Sequence, residues 1–265
     1  MKTKTVKTLR LLALTLPLLS LLSVAQAQQK TLNVGANIGN VPWEFQDASG
    51  AYVGFEIELV NDIAKRIGAK VNIVNTPFNG LFAAVQSGRI DLAISSITIT
   101  KKRLETVSFA QPYYDSDQSL TVASASTLKS LADFKGKTIG VDTGSTGAMY
   151  ATERAAQYGY TVREYTGLNP AMLDLKSGRI DGYVSDIPAL LYYAKVTGGV
   201  KVVQRLSTGE QYGIMFAKDS KLAVQFNNQI NLMKKSGALA ELHQKWFGVL
   251  PEKTTSTVKL MSMPK

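Results

Sequence analysis

The sequence predicts an α/β chain of two similar lobes, each a mostly parallel sheet flanked by helices, joined by a two-strand hinge. Three observations carry that prediction. Strand-like and helix-like stretches alternate along residues 31–247, the order expected of a parallel sheet with right-handed crossovers. The pentapeptide Ser-Gly-Arg-Ile-Asp occurs at residues 87–91 and again at 177–181, with Asn79 matching Asn169 and Ser95 matching Ser185 around it. Two extended stretches, residues 119–123 and 211–216, lie between and after the repeated units and suit a pair of hinge connectors.

Taken in order, residues 31–36 read as a β-rich start. Phe55, Leu59, Ile63 and Ile67 recur every fourth position, giving one helical stripe over residues 54–67 that Gly68 ends. Residues 71–74 alternate as a strand, residues 79–86 form a short helix with Asn79 as its cap, and residues 92–94 read as a buried strand. The second unit repeats this from residue 137, with strands at 138–141, 162–165 and 182–184 and helices at 147–158 and 187–195. Asn169-Pro170 opens a further helix as cap and first-turn proline, and Gly178 closes it. Residues 221–247 read as one helical stretch. The resulting division is residues 28–118 and 213–250 for lobe one, 119–212 for lobe two, and 251–265 as a mobile tail.

Residues 1–27 are set apart as a leader. Lys2, Lys4, Lys7 and Arg10 precede an apolar run over residues 11–24, and Ala25-Gln26-Ala27 has the small residues of a cleavage site. A membrane anchor is the competing reading, but the run is short of about 20 apolar residues and Pro17 interrupts it. The expected mature chain is exported to the periplasm, monomeric, and without membrane insertion. Absence of cysteine excludes disulfides, a lipid-anchored start and a thiolate zinc site. The whole-chain charge of +10 becomes +6 without the four leader cations. The remaining Lys and Arg are scattered, which argues against a nucleic-acid partner.

Chemistry concentrates after the repeated strands, at the sheet edge where open α/β folds bind small ligands. Ser95, Ser96 and Thr98 offer hydroxyl or amide donors there, and Thr100 is placed to cap a turn that carries Arg103. A guanidinium holds a carboxylate through two parallel bonds. Asp142-Thr143-Gly144-Ser145-Thr146-Gly147 opens a helix whose first turn suits an anion. Its Asp-Thr-Gly-Ser also matches an aspartic-protease signature, but such an enzyme needs a second copy, and an all-β setting, that this chain lacks. Asp186 ends the second repeated strand, where a carboxylate either caps the next helix or holds an ammonium group. Together with Arg103 it describes a site for a free amino acid. Trp43, Phe78, Tyr113 and Tyr114 stand near strand ends and can pack on a ligand side chain. Glu56 and Glu58 read as solvated helix positions. His243 is the only histidine; the sequence calls for no catalytic triad, no metal and no cofactor.

Pro42-Trp43-Glu44-Phe45, Gly54-Phe55-Glu56-Ile57-Glu58-Leu59 and Gln86-Ser87-Gly88-Arg89-Ile90-Asp91 resemble segments of periplasmic amino-acid-binding proteins of ABC transporters. So do Ser96-Ile97-Thr98-Ile99-Thr100-Lys101-Lys102-Arg103, Phe109-Ala110-Gln111-Pro112-Tyr113-Tyr114 and Lys245-Trp246-Phe247-Gly248. The branch is that of histidine-, lysine/arginine/ornithine- and glutamine-binding proteins. The resemblance implies the two-lobe periplasmic binding protein fold, a free amino acid as ligand and a membrane permease as partner. It also implies that Arg103 clamps the α-carboxylate, with Thr98 and Ser96 beside it and Thr146 donating from the other lobe, while Asp186 receives the α-ammonium. Ser95 then lines the floor, Ser145 stands beside Thr146, and Phe78 packs on the side chain. Asn37 falls where many members have an aspartate, and Asn40 where many have a stacking ring. With Asp142 as replacement charge and Trp43 as replacement ring, a neutral polar ligand such as glutamine is expected slightly ahead of a basic one. An enzyme on the same scaffold, a cyclohexadienyl or arogenate dehydratase using Asp142 or Glu44, and a ligand sensor are the alternatives.

Overall fold

The computed structural model describes Met1 and residues 29–265, so the leader lies outside the described residues except for Met1. The first half runs β1 (Thr31–Ala36), a small hairpin of β2 (Phe45–Gln46) and β3 (Tyr52–Val53), then α1 (Phe55–Arg66), β4 (Lys70–Asn75) and α2 (Phe78–Gln86). It continues through β5 (Leu92–Ala93), the single-turn α3 (Lys101–Leu104) and β6 (Val107–Phe109). β7 (Tyr114–Ala123) enters the second half, which holds β8 (Thr138–Asp142), α4 (Thr146–Tyr158), β9 (Thr161–Tyr165), α5 (Leu168–Lys176), β10 (Gly182–Asp186), α6 (Ile187–Val196) and the long β11 (Val200–Tyr212). β12 (Met215–Ala217), α7 (Lys221–Ser236) and α8 (Ala238–Phe247) return to the first.

Each half forms one five-stranded sheet, in the orders β4-β1-β5-β12-β6 and β11-β7-β10-β8-β9. Three parallel neighbours, β4-β1-β5 or β9-β8-β10, meet an antiparallel pair in each. The fold is therefore the two-lobe α/β architecture expected, with mixed sheets. The crossing strands pair along Tyr114↔Tyr212, Asp115↔Gln211 and Ser116↔Glu210. That places the first crossover near residue 114, earlier than the expected 118.

The pentapeptides do the same job twice. Gly88 and Gly178 take positive φ of 72° and 74°, the left-handed backbone that ends each helix. Asp91 accepts from the Asn33 amide at 2.8 Å and Asp181 from the Thr138 amide at 2.9 Å, tying each turn to the central strand of its parallel trio. Ile90 and Ile180 are buried over Gly35 and Gly140, where a Cβ would lie 2.3 and 2.6 Å from their Cδ1 atoms.

Several local expectations are corrected. Asn79 and Asn169 are second residues of their helices, because Pro77 and Gly167 already supply the non-helical cap backbone. The helical stretch after residue 221 breaks at Gly237, φ 84°, into α7 and α8. Residues 251–265 are strapped to the hinge rather than free. Ser256 N donates to Asp115 Oδ2 at 2.8 Å and Thr257 Oγ1 to the Tyr113 carbonyl at 3.0 Å. The buried Lys234 ammonium needs acceptors and takes the Lys259 carbonyl at 3.0 Å beside Gln111 Oε1 and the Pro112 carbonyl. Burial holds that ammonium down to about 8.

Trp43 is fully buried in the main core, edge-on to Phe55, Tyr114 and Tyr212 with ring centroids 4.6–5.6 Å apart. Truncating it to alanine is expected to cost about 3–5 kcal/mol of stability. A denaturant melt checks the loss, and an unchanged order of ligand preference separates it from a role in recognition.

Candidate functional site

A cavity of about 160 Å³ lies between the lobes at the carboxyl ends of their parallel strands. Lobe one supplies Asn37 and Asn40 from the loop after β1, Phe78 from the start of α2, and Ser95, Ser96 and Thr98 from the loop after β5. Lobe two supplies Asp142 from the end of β8, Ser145 and Thr146 from the start of α4, and Ser185 and Asp186 from the end of β10.

The lobe-one floor is built on two buried carboxyl groups. Ser96 adopts φ 47°, the left-handed region that a serine enters at a cost. Glu56 holds it there, accepting from the Ser96 amide at 2.8 and 3.1 Å and from the Tyr113 hydroxyl. Glu44 accepts from Ser95 Oγ at 2.6 Å, and Asn40 Nδ2 bridges Glu44 and Ser96 Oγ. Burial, and then the neighbouring Glu56 carboxyl, push Glu44 well above the ordinary carboxylate range. Glu56 is thus a buried clamp rather than a solvated helix residue. It shares a helix edge with Val60 and Ala64, four and eight positions on, so a spacing signal was present.

Thr100 caps α3, accepting from the Arg103 amide at 3.2 Å. The Arg103 side chain, 7% exposed, turns back under the loop and donates to the Thr98 carbonyl at 2.6 Å and across the cleft to the Gly144 carbonyl at 3.2 Å. Its guanidinium lies 5.5 and 5.0 Å from the Phe78 and Phe82 ring centres. Burial lowers it to about 10, with the Glu210 and Asp186 charges opposing. On lobe two, Ser145 caps α4 by accepting from the Ala148 amide at 3.0 Å. Asp142 Oδ1 accepts from the Gly167 amide at 3.0 Å, and burial raises its carboxyl. Asp186 stands where a cap would, yet makes no capping bond to α6. It accepts from Gln118 Nε2 at 2.5 Å. Burial, then the Glu210 charge, raise it to about 8.

Of the residues singled out from sequence, Asn37, Phe78, Ser95, Ser96, Thr98, Asp142, Ser145, Thr146 and Asp186 line one cavity. Arg103 lies behind Thr98 rather than on the cavity wall. Trp43 does not reach the site: it packs in the core beneath the hinge, so it cannot stand in for the stacking ring. Sequence reasoning missed Glu210 and Gln118, whose strand positions carry no motif. The one signal at Glu210 was the glycine before it, a mark of irregular strand pairing. Among the described residues no group of three or more His, Asp or Glu converges on a metal site.

A guanidinium from one lobe and a carboxyl group from the other, with hydroxyls and a helix start between them, have the chemistry to hold a small zwitterion. The family model for bacterial extracellular solute-binding proteins, family 3, matches residues 32–249. The chain belongs to this family. Among its relatives, the arginine-binding extracellular protein ArtP of Bacillus subtilis (strain 168) is 31% identical over 228 residues, 85% of this chain and 89% of ArtP. Structures of an ancestral arginine-binding protein bound to arginine and of one bound to glutamine each give a TM-score of 0.78 at 39% identity. They cover 82% and 83% of this chain and 98% of their own. The ancestral amino acid-binding protein AncCDT-1, a precursor of cyclohexadienyl dehydratase, gives 0.76 at 34% identity, covering 82% of this chain and 95% of its own. This is the amino-acid-binding, ABC-transporter kind of solute-binding protein. Among the described residues no helix is long and apolar enough to cross a membrane.

Proposed function

We propose that this chain captures a free amino acid with a cationic side chain in the interlobe cleft and delivers it to an ABC-type permease outside the cytoplasm. The observation that carries the reading is the charge placement: the Arg103 guanidinium of lobe one, held behind Thr98 at the Thr98 and Gly144 carbonyls, against Asp186 of lobe two, with Asp142 as a further carboxyl group on the cavity wall. Arg103 and Asp186 suit the α-carboxylate and α-ammonium of any amino acid. Asp142 lines the cavity beside its bond from the Gly167 amide and is left for a side chain, which favours a guanidinium or ammonium head over an amide. This reverses the slight preference for glutamine drawn from sequence, and the arginine-binding names of the relatives support it. A dehydratase needs an acid or base at the reacting bond. Of its two candidates, Glu44 is fully buried beneath the Ser95–Ser96 floor, which weighs against that reading.

A thermal-shift panel of the twenty amino acids and ornithine tests the proposal. Ligand at a hundredfold excess over Kd adds about 2.7 kcal/mol, roughly 5–10 °C in melting temperature for a chain of this size. Arginine, lysine or ornithine is expected to give the largest rise, with glutamine behind. A panel in which no amino acid moves the transition overturns the reading, and a rise confined to neutral side chains overturns the role of Asp142.

A further inference from the structure

We propose that Glu210 is a positioning residue, a latch on the hinge strand that fastens Thr98 of lobe one and Thr146 of lobe two to one carboxylate when the cleft is shut. Glu210 Oε2 accepts from Thr98 Oγ1 at 2.7 Å and from Thr146 Oγ1 at 3.1 Å. The two hydroxyls themselves stand 3.3 Å apart across the lobe boundary. Gln118 Nε2 bonds both Glu210 oxygens, at 3.1 and 3.0 Å, and reaches on to Asp186. The carboxylate is thus buried, 8% exposed, with donors from both lobes and from β7.

The backbone is shaped to present it. β11 loses register between Leu206 and Glu210, and Gly209 takes φ 62°. Asp117 on β7 fills that bulge, accepting from the Thr208 and Gly209 amides at 2.7 and 2.8 Å and from Arg205 Nε at 2.6 Å. A bulge of this kind re-aims the side chain that follows it. Glu210 itself pairs with Ser116 in the hinge, two residues before β11 ends at Tyr212, so it stands on the lobe-two sheet close to where the chain crosses back to lobe one.

Two consequences follow. Because Thr98 and Thr146 ride on different lobes, opening the cleft must break at least one of their bonds to Glu210. The closed form therefore keeps contacts that the open form lacks, which is what shifts a two-state equilibrium. Their hydroxyls are also committed to Glu210, so what these residues offer a ligand is the backbone amide; that of Thr146, first residue of α4, is one of the helix's orphan donors. The hydroxyl role expected from sequence passes to the latch. The Glu210 charge further lifts Asp186 and supports Arg103, the two groups read as holding the ligand.

The latch rests on the amino-acid reading of the cleft, and the experiment separates the two. Small-angle scattering on the ligand-free full chain reads the latch directly: Glu210→Ala is expected to have a larger radius of gyration than wild type. Stopped-flow binding of arginine is then expected to show dissociation at least tenfold faster in Glu210→Ala with association nearly unchanged. Glu210→Gln keeps an acceptor for one threonine, should fall between the two, and serves if the alanine protein fails to fold. Equal ligand-free compactness, or a wild-type dissociation rate in both variants, overturns the latch. If wild type binds no amino acid but Glu210→Ala still expands, the latch stands and the amino-acid reading fails.

Discussion

Replacing Arg103 with alanine is expected to weaken amino-acid binding by about 2–5 kcal/mol, roughly thirtyfold to several thousandfold in Kd. The size follows from burial. The guanidinium has left bulk water, and two of its bonds, to the Thr98 and Gly144 carbonyls, fix its plane between the lobes. A ligand carboxylate arriving beside it meets a charge whose desolvation and orientation are already settled. Arg103→Lys is expected to recover little, because an ammonium lacks the planar fork. The alanine variant also loses the bond to Gly144, one of the contacts across the cleft, so its closed form should be less populated. Titration calorimetry with arginine checks the affinity, and circular dichroism checks that the fold persists. Wild-type affinity in a folded Arg103→Ala protein would remove Arg103 from the site.

The second large effect is a trade between stability and binding at Asp186. Its carboxyl is raised to about 8 in the folded chain, by burial and by Glu210, against about 3.9 in an unfolded chain. A raised acid favours the folded state while protonated. Its contribution is fully present below about pH 4 and is lost as pH climbs through about 8, a few kcal/mol in all. Asp186→Asn has no proton to lose. The variant should melt close to wild type at pH 4 and several degrees higher at pH 8, while binding amino acids at least a hundredfold more weakly. A ligand ammonium restores the charged form of Asp186. Binding below pH 8 should therefore release a proton, visible as a dependence of the calorimetric enthalpy on the buffer. Equal melting of the two proteins at pH 8 would show that Asp186 is ordinarily ionised, and the stored cost would be absent.

The paired lobes could be read from sequence because their signals are local. The two Ser-Gly-Arg-Ile-Asp turns each combine a left-handed glycine, an isoleucine over a strand glycine and an aspartate tied back to an earlier, neighbouring strand. Each of those constraints needs specific residue types, so the pattern survives in both copies. Asp186 and the Ser95–Thr98 loop were visible as the places where the copies part. What escaped depends on contacts between distant segments. Glu210 meets Thr98 across 112 positions and Gln118 across 92, and the glycine before it marks an irregular strand without saying where the side chain goes. Glu56 was misread because its partner, the Ser96 amide, lies 40 positions away. Trp43 looked free beside a strand end, yet the hinge tyrosines and Phe247 close over it. The tail seemed unpatterned because its anchors are backbone groups and small hydroxyls, which leave no hydrophobic period.

The central claim is that the cleft grips both charges of an amino acid, one from each lobe. Calorimetry with three forms of one ligand tests it most directly: arginine, its methyl ester and its Nα-acetyl derivative. The ester lacks the charge that Arg103 holds, and the acetyl form lacks the charge that Asp186 holds. Arginine is expected to bind, and each blocked form to lose at least a hundredfold in affinity, with the acetyl form indifferent to Asp186→Asn. Blocked forms that bind as tightly as arginine itself would contradict the account.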